Sequence, residues 1–348
     1  MPQPWYGWYG SDIDELTVGL AKELVAQENR RWDVNDGHPE DTDLLLSRLG
    51  TLSADVAHEL TSFNGDLVLN GLTMLSDEVA KALAQHKGGL SLNGLTTLSD
   101  EQAKALAQHW GWLGLNGLKT LAPGAAKSLS QHKGQLSLNG LTTLSEEQAK
   151  ALAQHEGMLY LNGLTTLSEE AAEALAQHGG RWLSLDGLTT LSDDAIKALA
   201  QQKGTVSLDG LTTLSEEQSK ALAQHEGDLT LDGLITLSDE AVKELRANPK
   251  IRLPDEFKRG KLGVEALAFD RPCQIRTVEP GSAADQAGIR PGDIVLAVDG
   301  QPVADFDGLT ARMAGRGRGE RVRLTVARGG AADGDAERLE LTARLDAW

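Results

Sequence analysis

The chain has 348 residues, a single cysteine and a formal net charge of −18. Such an acidic balance does not favour nucleic acid or an anionic membrane surface as the main partner, and no apolar run is long enough to span a bilayer. One cysteine excludes an internal disulfide framework and fits a reducing compartment, so we expect a cytoplasmic protein.

The first 44 residues are not repetitive, and we expect residues 1–44 to form a helical, acidic lead-in that caps the rest. Met1–Gly10 is rich in Trp, Tyr and Gly and lacks the basic and apolar regions of a signal peptide. Apolar residues at helical spacing predict a helix over Asp12–Gln27. The aromatic side chains before it are expected to cover the open end of the repeat array.

A block of about 23 residues follows, written eight times over residues 45–255. Its template is L-x-L-[N/D]-G-L-x-x-L-S-x-x-x-A-x-x-L-A-x-H, and the spacing changes to 24 only once, at Gly179–Trp182. A period between about 20 and 50 residues is typical of a stacked array in which each unit contacts its neighbours. Such arrays present surfaces, so the fold favours binding over catalysis.

One repeat shows the local structure that we expect of all. Leu90–Leu92 alternates apolar and small residues, which predicts a short strand, and Asn93-Gly94 is a turn pair tolerant of positive φ. Ser99 and Gln102 form a capping box at a helix start. Because so short a helix is marginal alone, we predict an α/β solenoid with one short strand and one helix per repeat, the strands pairing in parallel at about 4.8 Å.

The two ends of the array are incomplete repeats. Leu52–Ala57 matches the repeat helix, which predicts the helix of a degenerate first unit before the first clear strand. Ile251–Leu253 predicts a last strand, and Pro254 stops further pairing because it has no N–H to donate.

The L-x-L strand, the spaced leucines and the period over residues 49–253 resemble bacterial leucine-rich repeat proteins. The resemblance implies an arc with the strands on its inner face. The chain departs from that pattern in one column, where the family has Asn and this chain has Leu (Leu72, Leu95, Leu118), while Asn or Asp directly follows the strand. This departure leaves the curvature open.

Six histidines share one column of the repeat, at the last turn of each helix. A column of imidazoles suits a metal site or a pH sensor, or else each ring caps the helix by bonding its terminal carbonyls. We favour capping, because Gln202 fills the same column and is a poor metal ligand. The six are His86, His109, His132, His155, His178 and His225.

Asp186, Asp209 and Asp232 are consecutive in the turn column and are of the type that holds a cation such as Ca²⁺. Asn occupies the same column in the five earlier repeats. A side-chain cap of the glycine turn explains all eight positions, so we expect no metal.

Alternate strand positions define the face of the sheet that we expect to meet solvent. Most of them are small: Ser91, Gly114, Ser137, Ser184, Ser207 and Thr230. Large residues cluster in the middle repeats: Trp112, Met158, Tyr160 and Trp182. They form a contact patch for an unknown protein, or else Trp112 and Trp182, together with Trp110, cover irregular junctions, and both interpretations stay open.

Residues 256–348 change character, losing the period and replacing Lys with Arg. The run PGSAADQAGIRPGDIVLAVDGQPV over Pro280–Val303 resembles a bacterial PDZ domain of the kind found beside HtrA-type proteases, and implies a β-rich α+β module. Ser282 predicts the start of a short helix ending at Gly288, and Asp299-Gly300 predicts a hairpin turn after a strand. Two late strands, around residues 322–326 and 339–343, complete the prediction.

The PDZ resemblance implies that a protein C-terminal peptide adds as an extra strand, its carboxylate held by backbone N–H groups of a Φ-G-Φ loop. Lys261–Val264 matches that loop, Val264–Leu267 would be the edge strand, and Phe306–Ala314 the facing helix. The residues assigned to the groove are Leu262, Gly263, Val264, Glu265, Ala266, Leu267, Leu309 and Met313. The alternative is a groove that is occluded or unused.

No HExxH, GxSxG, P-loop or trypsin-like motif occurs in the chain, so we expect neither an enzyme nor a cofactor. The sequence favours an interaction or scaffold protein with a peptide-binding module and a second surface on the solenoid. Two alternatives remain: a targeting or regulatory subunit of a separate protease, and an architectural protein with a silent groove.

Overall fold

A computed structural model describes residues 14–34, 43–254, 262–265, 273–313, 316–317, 319–329 and 337–345. The chain divides into two compact units, one of Met1–Thr236 with Lys250–Arg252 and one of Leu237–Pro249 with Leu253–Trp348. Among the helices in these ranges, none has both the length and the apolar character needed to cross a bilayer.

The first unit is built on a single sheet of ten parallel strands that follow one another in chain order. Each strand pairs with the equivalent strand of the next repeat, as in Leu90↔Leu113. The one extra residue lies in the loop before β7, so Leu159 still pairs with its equivalent, Leu183. The predicted solenoid is confirmed. The strands are β1 (Leu44–Leu45), β2 (Leu67–Val68), β3 (Leu90–Ser91), β4 (Leu113–Gly114), β5 (Leu136–Ser137), β6 (Met158–Tyr160), β7 (Trp182–Ser184), β8 (Thr205–Ser207), β9 (Leu229–Thr230) and β10 (Ile251–Arg252).

A short helix separates each pair of strands, and its start is fixed by a serine cap in every repeat but one. The predicted capping box is confirmed: Gln102 N–H donates to Ser99 Oγ at 3.1 Å, and Ser99 N–H donates to Gln102 Oε1 at 3.0 Å. The exception is the helix that begins at Pro123, which has no side-chain cap. Proline has no N–H, so it leaves one fewer unpaired donor in the first turn. The helices are α2 (Ala54–Leu60), α3 (Asp77–Leu83), α4 (Asp100–Leu106), α5 (Pro123–Leu129), α6 (Glu146–Leu152), α7 (Glu169–Leu175), α8 (Asp193–Ala200) and α9 (Glu216–Ala223).

The N-terminal end of the array differs from the prediction in two ways. The lead-in helix, α1 (Val18–Val34), begins later than expected because the Thr17 hydroxyl accepts from Leu20 N–H at 3.3 Å, and it packs against α2. The degenerate first unit also has a strand, β1, that pairs in register with β2, so it is a whole repeat rather than half of one. The aromatic residues before position 14 lie outside the described residues.

Two columns of glycine bring neighbouring repeats into backbone contact. A Cβ on Gly140 would lie 2.9 Å from the carbonyl carbon of Asn116, one repeat earlier, and one on Gly88 would lie 2.8 Å from the carbonyl carbon of Gly65. The predicted turn at Asn93-Gly94 is present, but Gly94 does not use a positive φ; among the described residues the positive-φ glycines all lie beyond residue 262. Glycine is therefore required here by the close approach of two backbones.

The Asn/Asp column links the repeats side chain to backbone. Asn116 N–H donates to Asn93 Oδ1 at 2.8 Å, and Asn139 N–H donates to Asn116 Oδ1 at 2.9 Å. The expected cap of each residue's own turn is wrong, since the acceptor serves the next repeat. Ser137 Oγ also donates to Asn116 at 2.7 Å.

The small strand residues are buried, contrary to the expected solvent-facing position. Ser91 and Ser184 are only 2% and 1% exposed. Parallel strands stand about 4.8 Å apart, so each short side chain is flanked on both sides by the same column and covered by the Asn/Asp links.

The second unit includes α10 (Asp239–Arg246) and a β-rich module. The predicted short helix is confirmed with Ser282 as its N-cap, and both Asp299 and Gly300 have the positive φ of a tight hairpin turn. The module comprises β11 (Val264–Glu265), β12 (Thr277–Val278), α11 (Ala283–Gln286), β13 (Ile294–Val298), β14 (Gln301–Pro302), α12 (Phe306–Met313), β15 (Arg321–Arg328) and β16 (Glu337–Arg344).

In the module, β11 and β12 form an antiparallel pair, and a second antiparallel sheet runs in the order β14-β13-β15-β16. Buried side chains from the four-stranded sheet, both helices and the loops, including Leu262, Val298, Leu309 and Val322, form one core, and Val264 and Val278 of the two-stranded sheet pack against it. The predicted β-rich module after the solenoid is confirmed.

Replacing Asn116 by Ala should destabilise the array by about 2 kcal/mol, because Asn139 N–H and Ser137 Oγ lose their buried acceptor. Asn116→Asp should be nearly neutral, since Asp186 and Asp209 already fill this column. Urea unfolding of the full chain tests the difference. Exposed Thr143→Ala is the control, and equal stability of the Ala and Asp variants would contradict the role given to Asn116.

Candidate functional site

The loop Leu262–Val264 is held by its carbonyl groups. Leu262 C=O accepts from Ala284 N–H at 2.8 Å, and Gly263 C=O accepts from Glu279 N–H at 2.9 Å. The Leu262 side chain is buried in the module core. Gly263 has φ of +74°, and a Cβ there would lie 2.6 Å from Ser282 Oγ, so no other residue fits without a shift.

This anchoring sets the direction of two amide groups. In a trans peptide the N–H points opposite to the preceding C=O. Because the carbonyls of Leu262 and Gly263 point into the module, the N–H groups of Gly263 and Val264 point out of it. Two convergent backbone donors of this kind suit a carboxylate.

The strand β11 continues the loop with one free side. Val264 pairs with Val278 and Glu265 with Thr277, and the bond from Glu279 N–H to Gly263 C=O makes Val264↔Val278 a non-hydrogen-bonded pair. The N–H and C=O of Val264 therefore face away from β12, where no described strand pairs. Ala266 and Leu267, the rest of the predicted edge strand, lie outside the described residues.

Apolar side chains on one face of α12 border the module core. Leu309 is 2% exposed and belongs to that core, so it offers little surface to a ligand. Phe306 and Met313 are half-buried and pack against the same core, as does Val264. Phe306 was not among the predicted residues, although its spacing of i, i+3 and i+7 with Leu309 and Met313 could have identified it.

An ion pair between the buried Asp293 and the partly exposed Arg328 supports the turn that leads into β13. Arg328 donates to both carboxylate oxygens of Asp293 at 2.8 Å, and Arg290 N–H donates to the same carboxylate at 2.8 Å. Burial alone would raise the pKa of Asp293, but these hydrogen bonds hold it below its usual value.

The lone cysteine is a core residue. Cys273 is 1% exposed, and burial, with a smaller contribution from the charge of Asp305, raises the pKa of its thiol to about 11. The thiolate that nucleophilic chemistry requires is therefore scarce at neutral pH.

The four residues predicted to form a solenoid patch lie on one face of the sheet. Met158 and Trp182 are register partners on β6 and β7, and Tyr160 Oη lies 3.6 Å from Met158 Sδ. The Trp112 ring lies 2.9 Å from the place a Gly114 Cβ would take, which explains glycine in that strand. We call Trp112, Met158, Tyr160 and Trp182 the aromatic row; all four are half-buried.

Trp110 lies just outside the aromatic row, in the loop before β4. It is 79% exposed, so it does not cover a junction as the alternative interpretation required. An exposed indole of this size is typical of a contact surface.

The histidine rings contact carbonyls of the preceding repeat rather than those of their own helices, and His225 Nδ1 lies 3.3 Å from the carbonyl of Ala200 at the end of α8. His86 Nε2–H donates to Gly65 C=O at 2.9 Å, and His109 Nε2–H donates to Gly88 C=O at 2.9 Å. Both acceptors belong to the preceding repeat. In the described part of the chain, no group of three or more His, Cys, Asp or Glu side chains is placed to hold a metal ion.

The carboxylates of the turn column have other partners. Ser184 Oγ donates to Asp186 Oδ2 at 2.7 Å, and Asp209 N–H donates to Asp186 Oδ1 at 3.1 Å. Asp232 forms an ion pair with Arg252 on the last strand. These contacts explain the three aspartates without a cation.

The family model for the PDZ domain matches residues 274–328. A PDZ domain is therefore present at the C-terminal end of the chain, next to the repeated strand-helix solenoid. The assignment of the solenoid to the leucine-rich repeats stays a prediction.

Curated relatives match over the same small share of the chain. The probable periplasmic serine protease do/HhoA-like of Haemophilus influenzae is 34% identical over 87 residues, which are 22% of this chain and 19% of that protein. The magnetosome formation protease MamE of Magnetospirillum gryphiswaldense is 41% identical over 71 residues, 20% of this chain and 9% of that protein. The chain thus spans less than a fifth of these relatives.

A solved structure, the HtrA-type protease AlgW with decapeptide, is 24% identical with a TM-score of 0.23 and covers 26% of this chain and 30% of that one.

Replacing Arg328 by Gln should destabilise the PDZ domain by about 3 kcal/mol at neutral pH, because it leaves the Asp293 carboxylate buried without a counter-ion. The lowered pKa of Asp293 means that the ion pair stabilises the fold above the unfolded pKa of about 3.9 and that this stabilisation is lost as the pH falls below it. Hydrogen exchange in β13 and β15 of the full chain, measured from pH 7 to pH 3, tests this.

The exposed Arg276→Gln is the charge-matched control. A deficit in Arg328→Gln that is the same at pH 7 and below pH 4, or one equal to the control, would refute the role of the ion pair.

Proposed function

We propose that the chain is a non-enzymatic interaction protein whose PDZ domain captures protein C-termini by strand addition along β11. One observation carries the proposal: the carbonyls of Leu262 and Gly263 are bonded within the module, beside a side of β11 that no described strand occupies. The peptide main chain would pair with Val264, and its carboxylate would accept from the loop.

The side chain at the peptide's terminus would contact the half-buried apolar residues Val264, Phe306 and Met313. An apolar terminal residue fits such a lining, because it removes further apolar surface from water. Leu309 supports this lining from the core.

The aromatic row and Trp110 would serve as a second surface for a protein partner. Large aromatic side chains contribute most of the binding energy in typical interfaces, and these lie among short residues that offer no such anchors. With both surfaces in use, the chain would act as a scaffold. The cytoplasmic location expected from the lone cysteine stays a prediction.

A second function is favoured by the comparisons, because the named relatives that match are proteases. In that case the chain would be a targeting or regulatory subunit, and its PDZ domain would sense cleaved or unfolded ends for a separate protease. The Cys273 thiol, buried and with its pKa raised to about 11, offers no nucleophile of its own.

Met313→Lys should weaken binding of a peptide with a free apolar C-terminus by at least about tenfold, because it places a charge on the apolar lining; tenfold corresponds to about 1.4 kcal/mol. Ala311→Lys, exposed on the same last turn, adds the same charge and should change the affinity by less than about twofold. Calorimetry of the full chain with a peptide library and its amidated counterparts measures both.

Binding that is indifferent to amidation, or no binding by the wild type, would instead support a silent groove. The same two variants used as baits for mass spectrometry separate the remaining alternatives. A protease retained by Ala311→Lys and lost with Met313→Lys supports the regulatory role, whereas other proteins lost in that way support the scaffold.

A further inference from the structure

Five histidine rings form one buried stack through the middle of the solenoid. Successive ring centroids are 6.3, 5.9, 6.0 and 6.3 Å apart, with interplanar angles of 14°, 9°, 2° and 25°. Every ring is at most 3% exposed. We call this set the histidine ladder: His86, His109, His132, His155 and His178.

Two rings of the ladder make hydrogen bonds that suit only the neutral imidazole, whereas neither ring nitrogen of His132, His155 and His178 has an aligned partner. Because a carbonyl can only accept, the bonds to Gly65 and Gly88 place the proton of His86 and His109 on Nε2. The Nδ1 atoms of all five rings are buried without a hydrogen-bond partner among the described residues. A second proton on Nδ1 would thus be a buried donor without an aligned acceptor in the folded chain.

The rings of the ladder pack closely against a column of glycines. A Cβ on Gly157 would lie 2.8 Å from His155 Nε2, and one on Gly88 would lie 2.9 Å from His86 Nε2. Four of the five rings fill the space beside the glycine two residues later in this way.

Few charged groups face the ladder. Asp66 lies near His86 and His109 at one end, and Glu156, near His155, is already paired with Lys133 at 2.7 Å. The other charges that a protonated ring would meet are those of neighbouring rings. Protonation would therefore place like charges in one buried column with one carboxylate at its end to offset them.

We propose that the histidine ladder makes the repeats from β2 to β7 an acid-sensitive element, in which protonation separates the stacked repeats while the PDZ domain stays folded. The proposal does not depend on the proposed function. Since the aromatic row lies on strands of the same repeats, opening them would also take that surface apart.

The direction of the pH dependence follows from burial. Burial lowers the pKa of all five histidines from 6.5, and it reaches about 4 for His109 and His178. Between these values the unfolded chain binds more protons than the folded chain, so stability falls as the pH falls from about 6.5 to about 4 and then levels off. The loss is steeper than that of a single site, because the difference in bound protons is summed over five rings.

The chain itself supplies the matched substitution. Gln202 occupies the ladder column in a later repeat, is fully buried, and donates from Nε2 to His178 C=O at 3.0 Å. Glutamine therefore fits this position and does not protonate. His58 is exposed on α2 and serves as the control site.

The test compares the full wild-type chain with a His109→Gln/His132→Gln/His155→Gln variant, the single variant His132→Gln and the control His58→Gln. Tryptophan fluorescence and hydrogen exchange, normalised to the intrinsic rate at each pH, are followed from pH 7.5 to pH 3.5. The wild type should lose protection over β2 to β7 between about pH 6 and about pH 4, before the PDZ strands do.

The triple variant should shift that midpoint down by about one pH unit or more and reduce its steepness, and the single variant should shift it less in the same direction. The control should behave as wild type. Coincident transitions in wild type and single variant, or full protection of the wild type at pH 3.5, would overturn the proposal. NMR titration of the wild-type imidazoles is independent of folding of the variants, and ring pKa values near 6.5 in the folded chain would also overturn it.

Discussion

The solenoid depends on the distance between the backbones of neighbouring repeats. At Gly88 and Gly140 the backbone of one repeat passes so close to a carbonyl of the preceding repeat that a Cβ would overlap it. This contact aligns each repeat with its neighbour, so that equivalent side chains of successive repeats lie next to one another. The Asn/Asp links and the histidine ladder are consequences, because each is a column of like residues whose members lie one repeat apart.

Much of this architecture could be predicted from the sequence, because the signals are local. The capping box at Ser99, the alternating strand before Asn93 and the last strand at Ile251 each depend on residues within a few positions, and all three are confirmed. The errors concern contacts between repeats. A glycine after Asn93 suits a positive φ as well as a close approach, and a single repeat does not distinguish them. A single repeat also does not reveal the hydrogen-bond acceptor of His86, because that acceptor lies 21 positions earlier in the chain.

In the PDZ domain the predicted groove residues fall into separate groups. Gly263 and Val264 present outward N–H groups, which follows from carbonyl partners that no motif reveals. Leu309 lies in the core, whereas the unpredicted Phe306 shares the half-buried face with Met313. A motif identifies the helix, but only packing shows which of its apolar residues keep a free surface.

Comparing Gly140→Ala with Gly179→Ala in urea unfolding of the full chain tests the stacking contact most directly. Gly140 is buried against Asn116 of the preceding repeat, whereas Gly179 is exposed, lacks a positive φ and has nothing within 4 Å of its would-be Cβ. The account predicts a loss of about 3 kcal/mol for Gly140→Ala, since two backbones must separate, and no loss for Gly179→Ala. Equal stabilities of the two variants would contradict it.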